Sequence, residues 1–363
     1  MQLLDMPELT DTLRRSLARS IAHLARKTGC YPDCLLLDSV EKCGASAIAG
    51  GGFADIWQGN MGSVPVALKA LRIFKKKPQE RALKNFSHEA VVWRQLKHRN
   101  ILPFLGVFKG SEHFERLCLV SPWMEAGNIT EFLDSRPDSD RITLLSDIAE
   151  GLNYLHHFTP SVVHGDLKGA NIFITPALTA CLGDFGLSRF RDFIESTLGS
   201  TTGNGTGTVR WQAPELLHND NDGALVYASQ ESDMYSFGCV CIEVMTDEPP
   251  FAELKRDGAV VLAVSKGQKP QRPTGDCVSR GLNDSLWELM MRCWDDEPNR
   301  RPTTEYAVGY FNGCKRNESR RDKISYEYSH VPASLCQYGF PDEHIPNLSC
   351  ATTSIDDGSI IVP

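Results

Sequence analysis

What the chain lacks narrows the field first. No run approaches the roughly 18 consecutive apolar residues of a membrane-spanning helix, although hydrophobic residues make up 41% of the 363. The opening Met1-Gln2-Leu3-Leu4-Asp5 has neither the basic nor the apolar region of a secretory signal. Positive charge is not in excess: 46 acidic residues against 38 Lys and Arg give a net charge of −8. That removes the electrostatic case for nucleic acid as the main partner. The 12 cysteines form no framework, and Cys118, Cys181, Cys239 and Cys241 fall inside apolar runs. A reduced, intracellular and cytoplasmic setting fits them better than disulfides. Cys30, Cys34 and Cys43 lack a fourth ligand at zinc-like spacing.

What is present is concentrated in one stretch. Val163-His164-Gly165-Asp166-Leu167-Lys168-Gly169-Ala170-Asn171 is followed by Gly183-Asp184-Phe185-Gly186. Gly165 and Gly169 make the first part a loop. The apolar runs Ile172–Ile174 and Thr179–Leu182 read as paired strands whose hairpin converges Asp184 on Asn171. Two hard oxygen ligands, Asn171 and Asp184, then suit Mg2+ beside a base, Asp166.

Upstream, residues 5–28 read as an amphipathic helix with Leu9, Leu13, Leu17, Ile21 and Leu24 on one face and Gly29 as its stop. Arg14, Arg15, Arg19 and Arg26 decorate the other faces, so the helix either packs on the domain that follows or docks a partner. Ile48-Ala49-Gly50-Gly51-Gly52-Phe53-Ala54-Asp55-Ile56 is a glycine cluster between strand-like runs, either a plain turn or a place where backbone N–H groups approach phosphate. Val64–Lys69 alternates like a strand, and a lysine ending it needs a counter-charge if it points inward. Glu89 supplies one, in a helical run Lys84–Lys97 with Phe86, Ala90, Trp93 and Leu96 on one face. Lys75-Lys76-Lys77 reads as a solvated loop. Leu117–Val120 reads as a strand. Ile142–Phe158 is a further helix, apolar at Ile142, Leu145, Ile148, Leu152 and Leu155.

The pattern H-x-D-L-K-x-x-N followed by D-F-G, with the strand ending at Lys69, resembles the catalytic core of eukaryotic protein kinases. Gly207-Thr208-Val209-Arg210-Trp211-Gln212-Ala213-Pro214-Glu215 and Cys293-Trp294-Asp295-Asp296-Glu297-Pro298-Asn299-Arg300-Arg301-Pro302 extend the resemblance toward the tyrosine-kinase-like group. It implies an α+β, two-lobed fold: an N-lobe of antiparallel sheet plus one helix over 40–124, and a mainly helical C-lobe over 125–313. Residues 1–39 are then a helical extension and 314–363 a polar, largely disordered tail with a short helix at its start. It also implies ATP and Mg2+ as cofactors and serine or threonine hydroxyls of a protein as substrate. Asp166 accepts or orients the hydroxyl, Lys168 steadies the γ-phosphate, Lys69 holds the α/β phosphates, and Glu89 holds Lys69. Asn171 and Asp184 bind the metal. Around the nucleotide the resemblance places Ile48, Ala49, Gly50, Gly51, Gly52, Ile56, Ala67, Met124, Asn128 and Phe173, with Ser121 as a small gatekeeper. Thr208 approaches Asp166 and Lys168, Asp233 holds the catalytic-loop backbone, and Arg301 pairs with Glu215.

Three residues depart from the family pattern. Ala49 and Ala54 replace the first and third glycines of the nucleotide loop, Gly51 matching the second. Gly165 replaces the arginine that usually precedes the catalytic aspartate and pairs with a phosphorylated activation loop, which weakens activation by that switch. H-G-D also resembles small-molecule phosphotransferases, but those lack the A-P-E, Asp233 and Arg301 elements. In the segment 187–208, Ser196, Thr197, Ser200, Thr201 and Thr202 are either modification sites or plain loop residues. The two function classes left open are an active protein kinase and a scaffold without useful turnover.

Overall fold

The computed structural model describes residues 9–50, 54–72, 76–187, 189–190, 208–217 and 227–317. Expectations for Gly51, Gly52, the serines and threonines between 196 and 202, and nearly all of the C-terminal tail lie outside them. In chain order the elements are α1 (Asp11–Thr28), β1 (Glu41–Lys42), β2 (Ala49–Gly50), β3 (Ala54–Met61), β4 (Val64–Leu71), α2 (Lys76–Trp93), β5 (Gly106–Phe108) and β6 (Cys118–Pro122). Then follow α3 (Ile129–Ser135), α4 (Arg141–His157), β7 (Val162–Val163), β8 (Ile172–Ile174), β9 (Ala180–Leu182) and β10 (Arg189–Phe190). The chain continues with α5 (Pro214–Leu217), α6 (Gln230–Thr246), α7 (Asp257–Ser265), α8 (Asp276–Ser279), α9 (Asp284–Cys293) and α10 (Thr304–Asn317).

The first lobe is an antiparallel sheet in the order β1-β3-β4-β6-β5, with β2 on the far end of β3. Strand periodicity decides which side chains see the cleft. Val66, Leu68 and Ala70 of β4 are fully buried on one face with Leu105, Phe108 and Val120. Ala67 and Lys69, between them, point to the opposite face. The second lobe is built on α6, whose residues from Ser232 to Met245 are nearly all buried. A helix apolar on every side sits inside a domain, and α4 and α9 pack against α6. Among the described residues no helix is long and apolar enough to cross a membrane.

Several boundaries differ from the sequence expectation. The helix expected over 84–97 begins at Lys76 and ends at Trp93, so Lys76 and Lys77 open a helix and are not loop. Leu96, expected on its face, lies beyond its end but is still buried. The N-terminal helix starts at Asp11, where Thr10 caps it through the Leu13 N–H, and Gly29 closes it at φ 71°. Its buried side takes in only part of the expected stripe: Leu17 and Ile21, with Leu9 just before the helix, pack partly buried against the core. Ala18, Ala22 and Ala25 are at most 2% exposed, while Leu13 and Leu24 are 48% and 58% exposed. Small residues win the interface because α1 lies directly on α2, where a leucine would hold the helices apart.

Candidate active site

β4 delivers Lys69 and α2 delivers Glu89 to the same point: Lys69 Nζ donates to Glu89 Oε1 at 2.7 Å. It also donates to Asp184 Oδ1 at 2.7 Å, so three groups far apart in sequence meet on one ammonium. Desolvation works against the charge on Lys69, but Asp184 and Glu89 outweigh it and raise its pKa above the ordinary lysine value. Desolvation likewise opposes ionisation of Asp184, yet Lys69 holds it down to about 2. Asp184 has left-handed backbone, φ 59°. The next residue, Phe185, is fully buried against Trp93 of α2 and His164, with ring centroids 5.6 and 5.5 Å apart. Burying such a ring is worth about 2–3 kcal/mol, and it pins the turn that carries Asp184.

The catalytic-loop candidates are held from below by Asp233 of α6. Its carboxylate accepts from the backbone N–H groups of His164 and Gly165, both at 2.8 Å, and lies 3.0 Å from His156 Nε2. His164 in turn lies 3.0 Å from the carbonyl of Gly183. On this base, Asp166 Oδ2 accepts from Lys168 Nζ and from Asn171 Nδ2, each at 2.9 Å. Lys168 also donates to Thr208 Oγ1 at 2.9 Å. The second oxygen, Asp166 Oδ1, is buried and has no hydrogen-bond partner among the described residues. A buried acceptor without a donor is costly, so this oxygen has an acceptor position to fill.

The donor set fits a magnesium ion. Asn171 spends its Nδ2 on the carbonyl and carboxylate of Asp166, so its amide oxygen is the atom left to face a metal. The hairpin β8–β9 pairs Ile172 with Leu182, and Gly183 N–H donates to the Asn171 carbonyl at 2.9 Å. That bond sets Asn171 beside Asp184, giving two hard oxygen donors from adjacent positions.

The nucleotide-side candidates occupy the sheet and the segment after it. Ala49 pairs with Ile56 and Gly50 with Asp55, and Ile48 is 56% exposed. Ala67 pairs with both Gln58 and Ser121, and Ile56 with Lys69. Ala49 and Ala54, the glycine replacements, both lie in strands. Met124 accepts at its carbonyl from Gly127 N–H at 2.9 Å. Asn128 bridges Phe173, but its side-chain oxygen caps α3, accepting from Thr130 and Glu131 N–H. That oxygen is committed to the helix.

Two features escaped the sequence reading. Glu243, amid the apolar residues of α6, accepts at one oxygen from Gly169 N–H of the catalytic loop at 2.9 Å and from Trp211 Nε1 at 2.8 Å. Burial pushes its pKa up to about 7, against the pull of those two donors and of Lys168. The signal was a lone acid inside Cys239–Met245. The other is Asp55, which accepts from Arg72 Nε at 2.8 Å and from Arg116 Nη1 at 2.6 Å beside the glycine cluster. Elsewhere Arg301, with no side-chain exposure, grips Glu215 with two bonds of 2.7 and 2.8 Å. Among the described residues no group of three or more His, Cys, Asp and Glu is placed to hold a metal ion, and burial pushes the Cys118, Cys181 and Cys293 thiols up to about 12.

Comparison with known proteins agrees with this geometry. Residues 44–311 match the family described as protein tyrosine and serine/threonine kinase. The chain is 34% identical over 272 residues to receptor-interacting serine/threonine-protein kinase 3 of Rattus norvegicus, covering 71% of this chain and 54% of that protein. It is 30% identical over 285 residues to serine/threonine-protein kinase STY17 of Arabidopsis thaliana, covering 76% and 46%. It is 30% identical over 284 residues to dual specificity protein kinase splA of Dictyostelium discoideum, covering 72% and 11%. The match thus spans about half or less of the length of these curated relatives. With the family match covering most of the sequence and Lys69, Glu89, Asp166, Lys168, Asn171 and Asp184 converging in space, the chain belongs to the protein kinase family.

Proposed function

We propose that this chain transfers the γ-phosphoryl group of ATP to serine and threonine hydroxyls of proteins, with ATP held between the lobes. The observation that carries the reading is Asp166, which is anchored by one oxygen and whose other oxygen is buried with no partner among the described residues. Asp166 Oδ1 accepts the proton of the incoming hydroxyl as its oxygen bonds the γ-phosphorus. The bond from that phosphorus to the β–γ bridging oxygen breaks, and ADP leaves with its electron pair. Lys168 balances charge on the transferred group while bridging to Thr208, which ties the acceptor side to the catalytic loop. Lys69, positioned by Glu89, binds the α/β phosphates, and Asn171 with Asp184 holds magnesium. Bound magnesium neutralises phosphate charge and supplies much of the rate enhancement in such transfers. The residues around Ile48, Ala67, Met124 and Phe173 supply the apolar walls for the base.

Preference for serine and threonine draws support from Lys168 in D-L-K-x-x-N and from relatives named serine/threonine kinases. The test is transfer of radiolabelled phosphate from Mg-ATP to the protein itself and to a generic basic protein, alongside Asp166→Asn. The variant is expected to lose about 10²–10⁴-fold in rate, with label on serine or threonine in the parent reaction. Equal silence of parent and variant, with Mg-ATP binding retained in both, would assign the chain a scaffold role.

A further inference from the structure

α1 lies against the outer side of α2, the helix that presents Glu89. Ala18, Ala22 and Ala25 are its fully buried residues, spaced so that all three fall on one side of the helix, with Leu17 and Ile21 partly buried against the same core. With nothing beyond Cβ, these residues let the two backbones come close over about two turns. The C-terminal end is fastened separately. Ser87 Oγ of α2 donates to the Gly29 carbonyl in a buried bond of 2.8 Å, and Tyr31 packs its ring on Phe86 with centroids 5.9 Å apart. Gly29 is conformationally required here: at φ 71° a Cβ would also come within 3.3 Å of Leu83. Beyond it, Leu36 bridges Val107, and Leu37 N–H donates to the Val107 carbonyl at 2.9 Å. The extension is therefore sewn to β5 as well as to α2.

Ser87 and Phe86 stand two and three residues before Glu89. α2 is thus held on its outer side by α1 and on its inner side by Phe185 against Trp93. Its position sets whether Glu89 reaches Lys69. Next to Asp166, Gly165 offers no cation through which a phosphorylated loop would help set the site. We infer that α1 is a built-in brace that holds α2 in the position where Glu89 engages Lys69, with Ala22 and Ser87 as its positioning residues. This rests on the proposed kinase function of the same site. α1 does not touch the reacting groups, so its effect on nucleotide and rate passes through α2.

The experiment replaces Ala22 by Glu in the full chain and reads three quantities well below the unfolding temperature. These are amide hydrogen exchange over 11–28 and 84–92, the dissociation constant of Mg-ATP by calorimetry, and kcat and KM for ATP. Ala22→Glu is expected to release α1, speed exchange in 84–92 and leave 141–157 protected. If the engaged position of α2 falls to about a tenth of molecules, the dissociation constant and KM rise about tenfold. Ala22→Ser, which keeps the close approach, is expected to retain parent values. Ser87→Ala, a milder loosening, is expected to raise the same constants about threefold and judges the inference if Ala22→Glu does not fold. The brace is refuted if α1 is released while Mg-ATP affinity and KM stay within about twofold of the parent. It is equally refuted if α1 stays protected with a glutamate at position 22. A parent protein that binds Mg-ATP without transferring phosphate would overturn the kinase reading alone, since binding and exchange still judge the brace.

Discussion

Replacing Glu243 with glutamine deletes one titration from the middle of α6 and should change how stability depends on pH. In the folded protein this carboxyl is buried, and both its donors, Gly169 N–H and Trp211 Nε1, reach the same oxygen. The other oxygen can therefore carry a proton without losing either bond. The unfolded chain releases that proton near the ordinary 4.5, the native protein near 7. Between those values the native state binds more protons than the unfolded one, so stability falls as pH rises through the window and levels off above it. The gap between 4.5 and about 7 is worth about 3 kcal/mol, of which about 2.5 kcal/mol falls between pH 5 and pH 8. Glu243→Gln keeps an acceptor for both donors and has no proton to lose. Urea unfolding of parent and variant at pH 5, 6, 7 and 8 isolates the group, because every other titration cancels in the difference. The two proteins should be within about 1 kcal/mol of each other at pH 5, with the variant gaining about 2–3 kcal/mol on the parent by pH 8. A difference that stays constant within about 0.5 kcal/mol across the range would refute the reasoning.

Two further substitutions probe neighbouring parts of the structure. Arg301→Lys should destabilise the protein by about 3 kcal/mol in denaturant unfolding, since a single ammonium cannot reproduce the fork on Glu215 and strands part of a buried ion pair. Ser121, 5% exposed on β6 and paired with Ala67, is the proposed gatekeeper of the base pocket. Ser121→Met should weaken a bulky ATP-competitive ligand by about tenfold or more, measured by competition binding, and leave KM for ATP within about threefold.

The parts of the site legible in the sequence were those where chemistry and spacing coincide. Asp166, Lys168 and Asn171 lie within six residues, and Gly165 just before them and Gly169 among them announced a loop. The pairing of Lys69 with Glu89 was legible because an inward lysine on an alternating strand demands a partner. The hydrophobic pattern was less informative where packing distance mattered more than hydrophobicity. On α1 the stripe was half right: Leu17 and Ile21 pack against the core, but Leu13 and Leu24 are exposed and the fully buried residues are the alanines Ala18, Ala22 and Ala25. The start of α2 was missed because three lysines look like solvent-facing loop, and a helix entry can be equally polar. Glu243 was overlooked because its two donors come from loops 74 and 32 residues away, and a single acid in an apolar helix does not say which backbone it satisfies. Asn128, expected near the ribose, also caps α3 through its side-chain oxygen, a local bond that a motif match does not announce.

The left-handed backbone at Asp184 restricts substitution there in a way that its proposed role as a metal ligand alone does not. Short polar residues tolerate that conformation because their side chains can bond locally, whereas most others incur about 1–2 kcal/mol. Glutamate could present the same carboxylate from one methylene further out, but it would have to adopt a torsion its longer side chain does nothing to offset. Glycine would relax the torsion and surrender the ligand. Asparagine alone among the neutral replacements keeps the turn and a donor oxygen. Any variant meant to report on charge at this position should therefore be Asp184→Asn, since alanine would confound lost charge with a refolded turn.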